Sequence, residues 1–183
     1  MSKNIVVKAN ILIEASYKLD LVEMRLILLA IIEARESKTL IDANSLIKIS
    51  AKKYAEMFDI SLKNSYSMLR GACKTLFDRQ FSYVDWDFDL LSEDTSKIFF
   101  TSRWVSKVGY KPGFVYLSFA PDVIPLISRL EKEFTRYDLL QISKFSSIYA
   151  VRIYEICMQW KIAKKFYICL LYTSDAADEE DSV

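Results

Sequence analysis

Histidine is absent from this 183-residue chain, and glycine and proline occur only three times each. Without histidine there is no histidine-based triad, no imidazole acid–base catalysis and no ordinary zinc or iron site. Gly71, Gly109 and Gly113 are too far apart to form a GxGxxG turn or a P-loop, which excludes the common glycine-rich phosphate cradles. The three cysteines, Cys73, Cys157 and Cys169, form no CxxC pair, so neither a disulfide framework nor a cysteine-rich metal site is expected. Cys73 and Cys157 fall among apolar residues at helical spacing and read as reduced, buried core thiols. The longest apolar runs, Leu26–Ile32 and Phe166–Tyr172, fall far short of the ~18 residues a membrane span needs. Lys8 and Asn10 interrupt the short apolar stretch after Met1, so no signal peptide is expected and the protein is expected to be cytoplasmic.

What is present is an apolar, aromatic chain. It is 52% hydrophobic with 11 Tyr and 11 Phe, a composition that buries a core and excludes intrinsic disorder. Net charge is only +1, but Asp175, Asp178, Glu179, Glu180 and Asp181 all lie in the last fifteen residues, which hold no Lys or Arg. Setting those five acids aside leaves 25 basic against 19 acidic side chains, a body of +6 suited to an acidic polymer such as DNA.

Local patterns define the elements. Asp20 and Glu23 form a capping-box pattern at the start of a helix over about Leu21–Arg35, whose middle, LILLAII, is apolar on every face and predicts a buried spine. The preceding ANILIEASYKL predicts a short strand or extended arm. Asn44–Ser50 predicts a strand, Ala51–Phe58 a short helix, Asp59–Ser61 a tight turn carrying Ile60, and Leu62–Phe77 a longer helix. On that helix Tyr66, Leu69, Cys73, Leu76 and Phe77 share one face, while Lys63, Ser67, Arg70 and Lys74 share another. Short helix, turn, and longer helix with a basic face is the helix-turn-helix pattern.

The period then switches to alternation. Gln80–Phe88, Lys97–Val108 and Phe114–Ala120 predict three strands, with Leu91–Ser96 joining the first two and Lys111-Pro112-Gly113 turning between the others. A helix-turn-helix followed by antiparallel strands predicts an α+β winged helix. Trp104, Tyr116 and Phe119 are expected in its core. Pro121–Leu130 predicts a short, proline-interrupted helix. Ser143–Lys165 predicts a long amphipathic helix with Phe145, Tyr149, Ile153, Ile156 and Trp160 on its inner face, and Arg152 and Glu155 paired on its surface.

Candidate chemistry follows from these placements. Lys63, Asn64, Ser67, Arg70 and Lys74 are the leading DNA-facing residues: long cations reach phosphates, and Asn and Arg bind base edges bidentately. Arg103 and Lys107, alternating with Thr101 and Val105 near the wing, are a second phosphate-contacting set. A solvated surface is the competing reading for both. Asp85, Asp87 and Asp89 form the one enzyme-like cluster, spaced to share a strand face that in principle holds two magnesium ions. Trp86 and Phe88 point the other way, so the strand reads as half-buried with a charged outer face, and no catalytic residue, metal or cofactor is expected.

The resemblance to a family rests on three stretches. VVKANILIEASYKLDLVEMRLILLAI (Val6–Ile31) and ISKFSSIYAVRIYEICMQW (Ile142–Trp160) resemble the two signature stretches of bacterial plasmid replication initiators, the iteron-binding Rep family. Between them, IKISAKKYAEMFDIS (Ile47–Ser61) resembles the strand and first helix of that family's amino-terminal winged helix. The resemblance implies two tandem winged helices in the whole protein, monomers bound to repeated origin sites, and dimers that repress their own promoter. It further implies double-stranded DNA and a second copy of the chain as partners, with host replication proteins also possible. By the same resemblance the first domain takes part in both DNA contact, to phosphates more than to bases, and dimerisation, while the second domain makes the main base-reading contacts. The expected organisation is a winged-helix domain over 1–142, a long helix over 143–168 leading to a second winged helix that the chain does not contain, and a tail over 169–183. That tail, CLLYTSDAADEEDSV, lacks any helical period and reads as the translation of a sequencing adapter, so it is expected to be a non-native read-through of a longer natural protein. A winged-helix transcriptional regulator is the alternative, with a metal-dependent nuclease or polymerase behind it.

Overall fold

The computed structural model describes residues 4–37, 40–85, 98–128, 130 and 133–161. Among these, strand β1 (Ile5–Ala9) leads directly into helix α1 (Asn10–Glu14) and the two-residue strand β2 (Ser16–Tyr17). The expected short strand or extended arm is therefore divided: Asn10–Glu14 is helical, and Ser16–Tyr17 forms the short strand. Helical turning buries the adjacent Leu12 and Ile13 together, which an alternating strand cannot do.

Helix α2 (Leu21–Glu36) begins at the predicted capping box: Asp20 Oδ1 accepts the Glu23 amide and Glu23 Oε2 accepts the Asp20 amide, both at 2.7 Å. Every residue from Leu26 to Ile32 is buried, as the uniformly apolar run predicts. Burying each Leu or Ile side chain contributes about 1.5–3 kcal/mol, so truncating one such as Leu29 to Ala would cost about 2–5 kcal/mol.

Strand β3 (Ile47–Ser50) and helices α3 (Ala51–Phe58) and α4 (Leu62–Thr75) follow, then a 3-10 turn over Leu76–Asp78 and strand β4 (Gln80–Asp85). Asp87 and Asp89 lie outside the described residues, as do the Leu91–Ser96 link and the end of the Gln80–Phe88 stretch. The Lys97–Val108 segment is two strands rather than one, β5 (Ile98–Arg103) and β6 (Val105–Lys111), and they belong to different sheets. Trp104 separates them. Its fully buried ring sits 5.0 Å from those of both Tyr17 and Phe81, so the chain turns inward there and the alternation restarts.

Strand β7 (Phe114–Phe119) completes the wing, helix α5 (Ile124–Ile127) follows a 3-10 turn, and strand β8 (Phe134–Asp138) returns to pair with β1. The sequence does not announce β8, because only Thr135 and Tyr137 of FTRYD face inward. Three antiparallel sheets result: β1–β8, β2–β4–β5 and β3–β7–β6. The last one, together with α3 and α4, makes the winged helix, and its hairpin turn places Gly113 at φ 87°. Trp104 and Phe119 are fully buried and Tyr116 is half-buried.

The final helix, α6 (Ile148–Gln159), starts five residues later than expected. Arg25 donates from Nη2 to the carbonyls of Ser143 (3.3 Å) and Phe145 (2.9 Å), holding that segment non-helical until Ser147 caps the helix. Its inner face also differs from expectation. Val151 and Glu155 are buried, whereas Tyr149, Ile153 and Trp160 are exposed. Polar anchors set this rotation. Glu155 Oε1 receives the Tyr137 hydroxyl and lies 2.5 Å from Lys8 Nζ, while Arg152 donates to the Ala15 carbonyl (2.9 Å) and stacks on Tyr17. Arg152 and Glu155 thus bond inward and not to each other. The remainder of the expected helix and the 169–183 tail lie outside the described residues.

Candidate nucleic-acid interface

The short turn between α3 and α4 fixes the candidate surface. Asp59 closes α3 in the left-handed conformation (φ 53°), the Ile60 amide returns to the Ala55 carbonyl at 3.0 Å, and Ile60 packs on the core. Ser61 then caps α4, its hydroxyl accepting the Asn64 amide. The buried stripe of α4, continued into the 3-10 turn, is Ser65, Leu69, Ala72 and Leu76. This revises the predicted apolar face: Tyr66 and Phe77 are exposed and Cys73 is half-buried. Ser65 enters the core because its hydroxyl is satisfied by the Leu62 carbonyl at 2.7 Å.

Lys63, Asn64, Ser67, Arg70 and Lys74 are all exposed, so the structure places the five predicted residues together on the outer face of α4. The helix carries no acidic residue, and Lys63, Arg70 and Lys74 make no ion pair among the described residues. Ser67 donates to the Asn64 carbonyl at 2.9 Å, so its oxygen presents lone pairs outward. Half-burial pushes the Cys73 thiol up to about 11, leaving it protonated and inert on the flank of this surface.

The carboxyl end of α4 is pinned from below. Glu23 is fully buried; its carboxylate accepts the Thr75 hydroxyl (2.5 Å) and Arg79 Nε (2.8 and 2.9 Å). One carboxylate therefore caps α2 and also orients the exit of α4. Arg103 lies just beyond, its guanidinium 4.7 Å over the Phe77 ring, with Nη1 donating to the Phe77 carbonyl at 3.1 Å and 3.7 Å from Asp78. It extends the cationic surface past the end of the helix.

Lys107 does not join Arg103 on one strand face. It sits on β6 beside a bulge between Val105 and Lys107, and Val105 is buried. The outer side of β6 instead carries Lys107, Gly109 and Lys111, and register aligns Gly109 with Tyr116 and Lys48 across the sheet. Lys48 Nζ also lies 4.0 Å over the Phe114 ring. Lys48 and Lys111 are cations the sequence reading passed over. Their signal was the alternation of IKIS and of the strand leading into the Lys-Pro-Gly turn. Asp85 ends β4, and no group of three metal-binding side chains occurs among the described residues. No helix among them is long and apolar enough to cross a membrane.

Comparison with known proteins gives the family and the fold. Residues 5–158 match the family described as initiator replication protein, WH1. A replication initiation protein of Escherichia coli is 27% identical over 173 residues, covering 90% of this chain and 50% of that protein, so the chain spans about half the length of its curated relative. The WH1 domain of MSBI1.176, a replication protein isolated from a multiple sclerosis patient, is 47% identical over 62% of this chain and 81% of its own, with a TM-score of 0.48. The Pi initiator protein, solved in complex with iteron DNA, shares the fold at 20% identity and a TM-score of 0.61, over 87% of this chain and 65% of its own.

Proposed function

The chain belongs to the initiator replication protein family, over the WH1 domain, and from that premise we propose that it is the DNA-contacting first part of a plasmid replication initiator. It binds duplex DNA at the repeated sites of an origin and at its own promoter. It works by binding and assembly, in the cytoplasm, without catalysis. The observation that carries this reading is the outer face of α4, where Lys63, Arg70 and Lys74 stand exposed on an acid-free helix. Cations without carboxylate partners keep their full attraction for phosphate, and binding releases the counterions condensed there.

Roles divide by reach. Lys63, Arg70 and Lys74 contact phosphates, Asn64 supplies hydrogen bonds to base edges or phosphates, Ser67 accepts from donors on base edges, and Arg103 and Lys107 hold the backbone beyond the helix. The solved complex of the Pi initiator with iteron DNA supports a DNA ligand for this fold. The chain spans about half the length of its curated relative, and this reading includes a second winged-helix domain in the whole protein. The same chain is expected to dimerise, and host replication proteins are further partners. The test is fluorescence anisotropy with origin and scrambled duplexes, comparing the chain with its Arg70→Ala/Lys74→Ala variant. Equal affinity of the two proteins at low salt would remove α4 as the DNA surface.

A further inference from the structure

Gly113 is demanded by its turn, with a positive φ that side chains resist. Among the described residues, nothing demands the other two glycines. Gly71 lies within α4 and Gly109 within β6; both are exposed and neither has a positive φ. A methyl group at either position would meet no described atom within 4 Å. Glycine inside a helix or strand weakens that element relative to alanine, and such a glycine often marks a bulge, a bend or a place where a ligand or another backbone comes close. Their neighbours say what approaches. Gly71 follows Arg70 directly and lies one turn from Ser67 and Lys74, so small residues form a shallow centre beside long cations. Gly109 alternates with Lys107 and Lys111 on the wing.

We propose that Gly71 is the point at which the sugar–phosphate backbone of duplex DNA presses directly against the backbone of α4, and that Gly109 is the matching point on the wing. The inference rests on the DNA-binding reading above and adds how deeply the duplex seats. With no Cβ in the way, the phosphates come near enough for Lys63, Arg70 and Lys74 to bond them directly. A side chain at the centre holds the duplex away from the cations that flank it.

The experiment measures stability and binding in the same variants of the full chain, using a mixed-sequence DNA duplex as the probe. Gly71→Ala is expected to raise Tm by about 2–4 °C, because alanine favours the helix. It is expected to weaken duplex binding about tenfold, on the scale of one overpacked group at a tight contact. Gly71→Gln, also a good helix former, should weaken binding further, and Gly109→Thr should weaken it with the wing intact. Opposite signs for stability and affinity support the proposal. If Gly71→Gln binds as tightly as the parent while Arg70→Ala/Lys74→Ala does not, the close approach is wrong and the DNA surface stands. If neither variant loses affinity, α4 is not the DNA surface and the inference falls with it. A lowered Tm for Gly71→Ala would mean that the glycine serves the fold, which also overturns the inference.

Discussion

Lys8, on the first strand, and Glu155, on the last described helix, form an ion pair at 2.5 Å with no exposure of either side chain. The Tyr137 hydroxyl completes the site, donating to the same carboxylate oxygen at 2.5 Å. Burial, and then the charge of Glu155, hold the Tyr137 phenol well above its ordinary pKa, so it stays protonated and able to donate. These three groups fix which face of α6 turns inward.

The pair gives a first prediction. Lys8→Met leaves a buried carboxylate without its cation and should destabilise the protein by about 3–5 kcal/mol. Lys8→Met/Glu155→Gln removes the charge as well, keeps an acceptor for Tyr137, and should recover a large part of that loss. Urea midpoints of the parent, single and double variants measure the coupling. Additive effects would mean that the two charges do not sense each other.

DNA binding should depend steeply on salt. Each phosphate neutralised by the α4 cations contributes about one unit to the slope of log affinity against log salt. Arg70→Ala/Lys74→Ala should therefore weaken binding at low salt and flatten the slope by about two units. Its thermal stability should match the parent, since both residues lie opposite the buried Leu69, Ala72 and Leu76. An unchanged slope would move the DNA surface to Arg103, Lys107 and the outer lysines of the wing.

Purified protein should neither cleave nor extend DNA when magnesium is added. The carboxylate triplet at Asp85, Asp87 and Asp89 is the feature that would say otherwise. Magnesium-dependent activity that disappears in Asp87→Ala, with circular dichroism unchanged, would make this an enzyme.

Alkaline pH should loosen the first helix of the helix-turn-helix. Burial pushes the Tyr54 phenol up to about 12 from its model-compound 10.0. Because the folded pKa is the higher one, the stabilisation is complete below pH 10.0 and is lost as pH rises toward about 12, amounting to roughly 2–3 kcal/mol. Tyr54→Phe should be less sensitive across that window, which urea titration at a series of pH values will show. Identical pH dependence of the two proteins would assign the alkaline loss to other groups.

Local chemistry made much of this molecule legible from its residues. The Asp20–Glu23 box, the all-apolar middle of α2, the α3–α4 turn and the Lys-Pro-Gly corner each specify their own geometry through caps, period and φ, so no distant contact is required. The cationic stripe of α4 was legible for the same reason: i, i+4 and i+7 share a helix face wherever the helix sits. What the residues left open depended on partners far along the chain. Helical spacing groups Tyr149, Ile153, Ile156 and Trp160 correctly, yet it does not say which way the group faces; buried Lys8 and Tyr137 decide that by drawing Glu155 inward. Alternation runs through Lys97–Val108 without a break, and only the pocket between Tyr17 and Phe81 pulls Trp104 in and divides the strand between two sheets. Lys48 and Lys111 join the candidate interface because β3, β6 and β7 pair side by side, and pairing between distant strands belongs to the tertiary fold. Periodicity fixes the faces of an element; the direction each face points is settled when buried charge and aromatic volume find their complements.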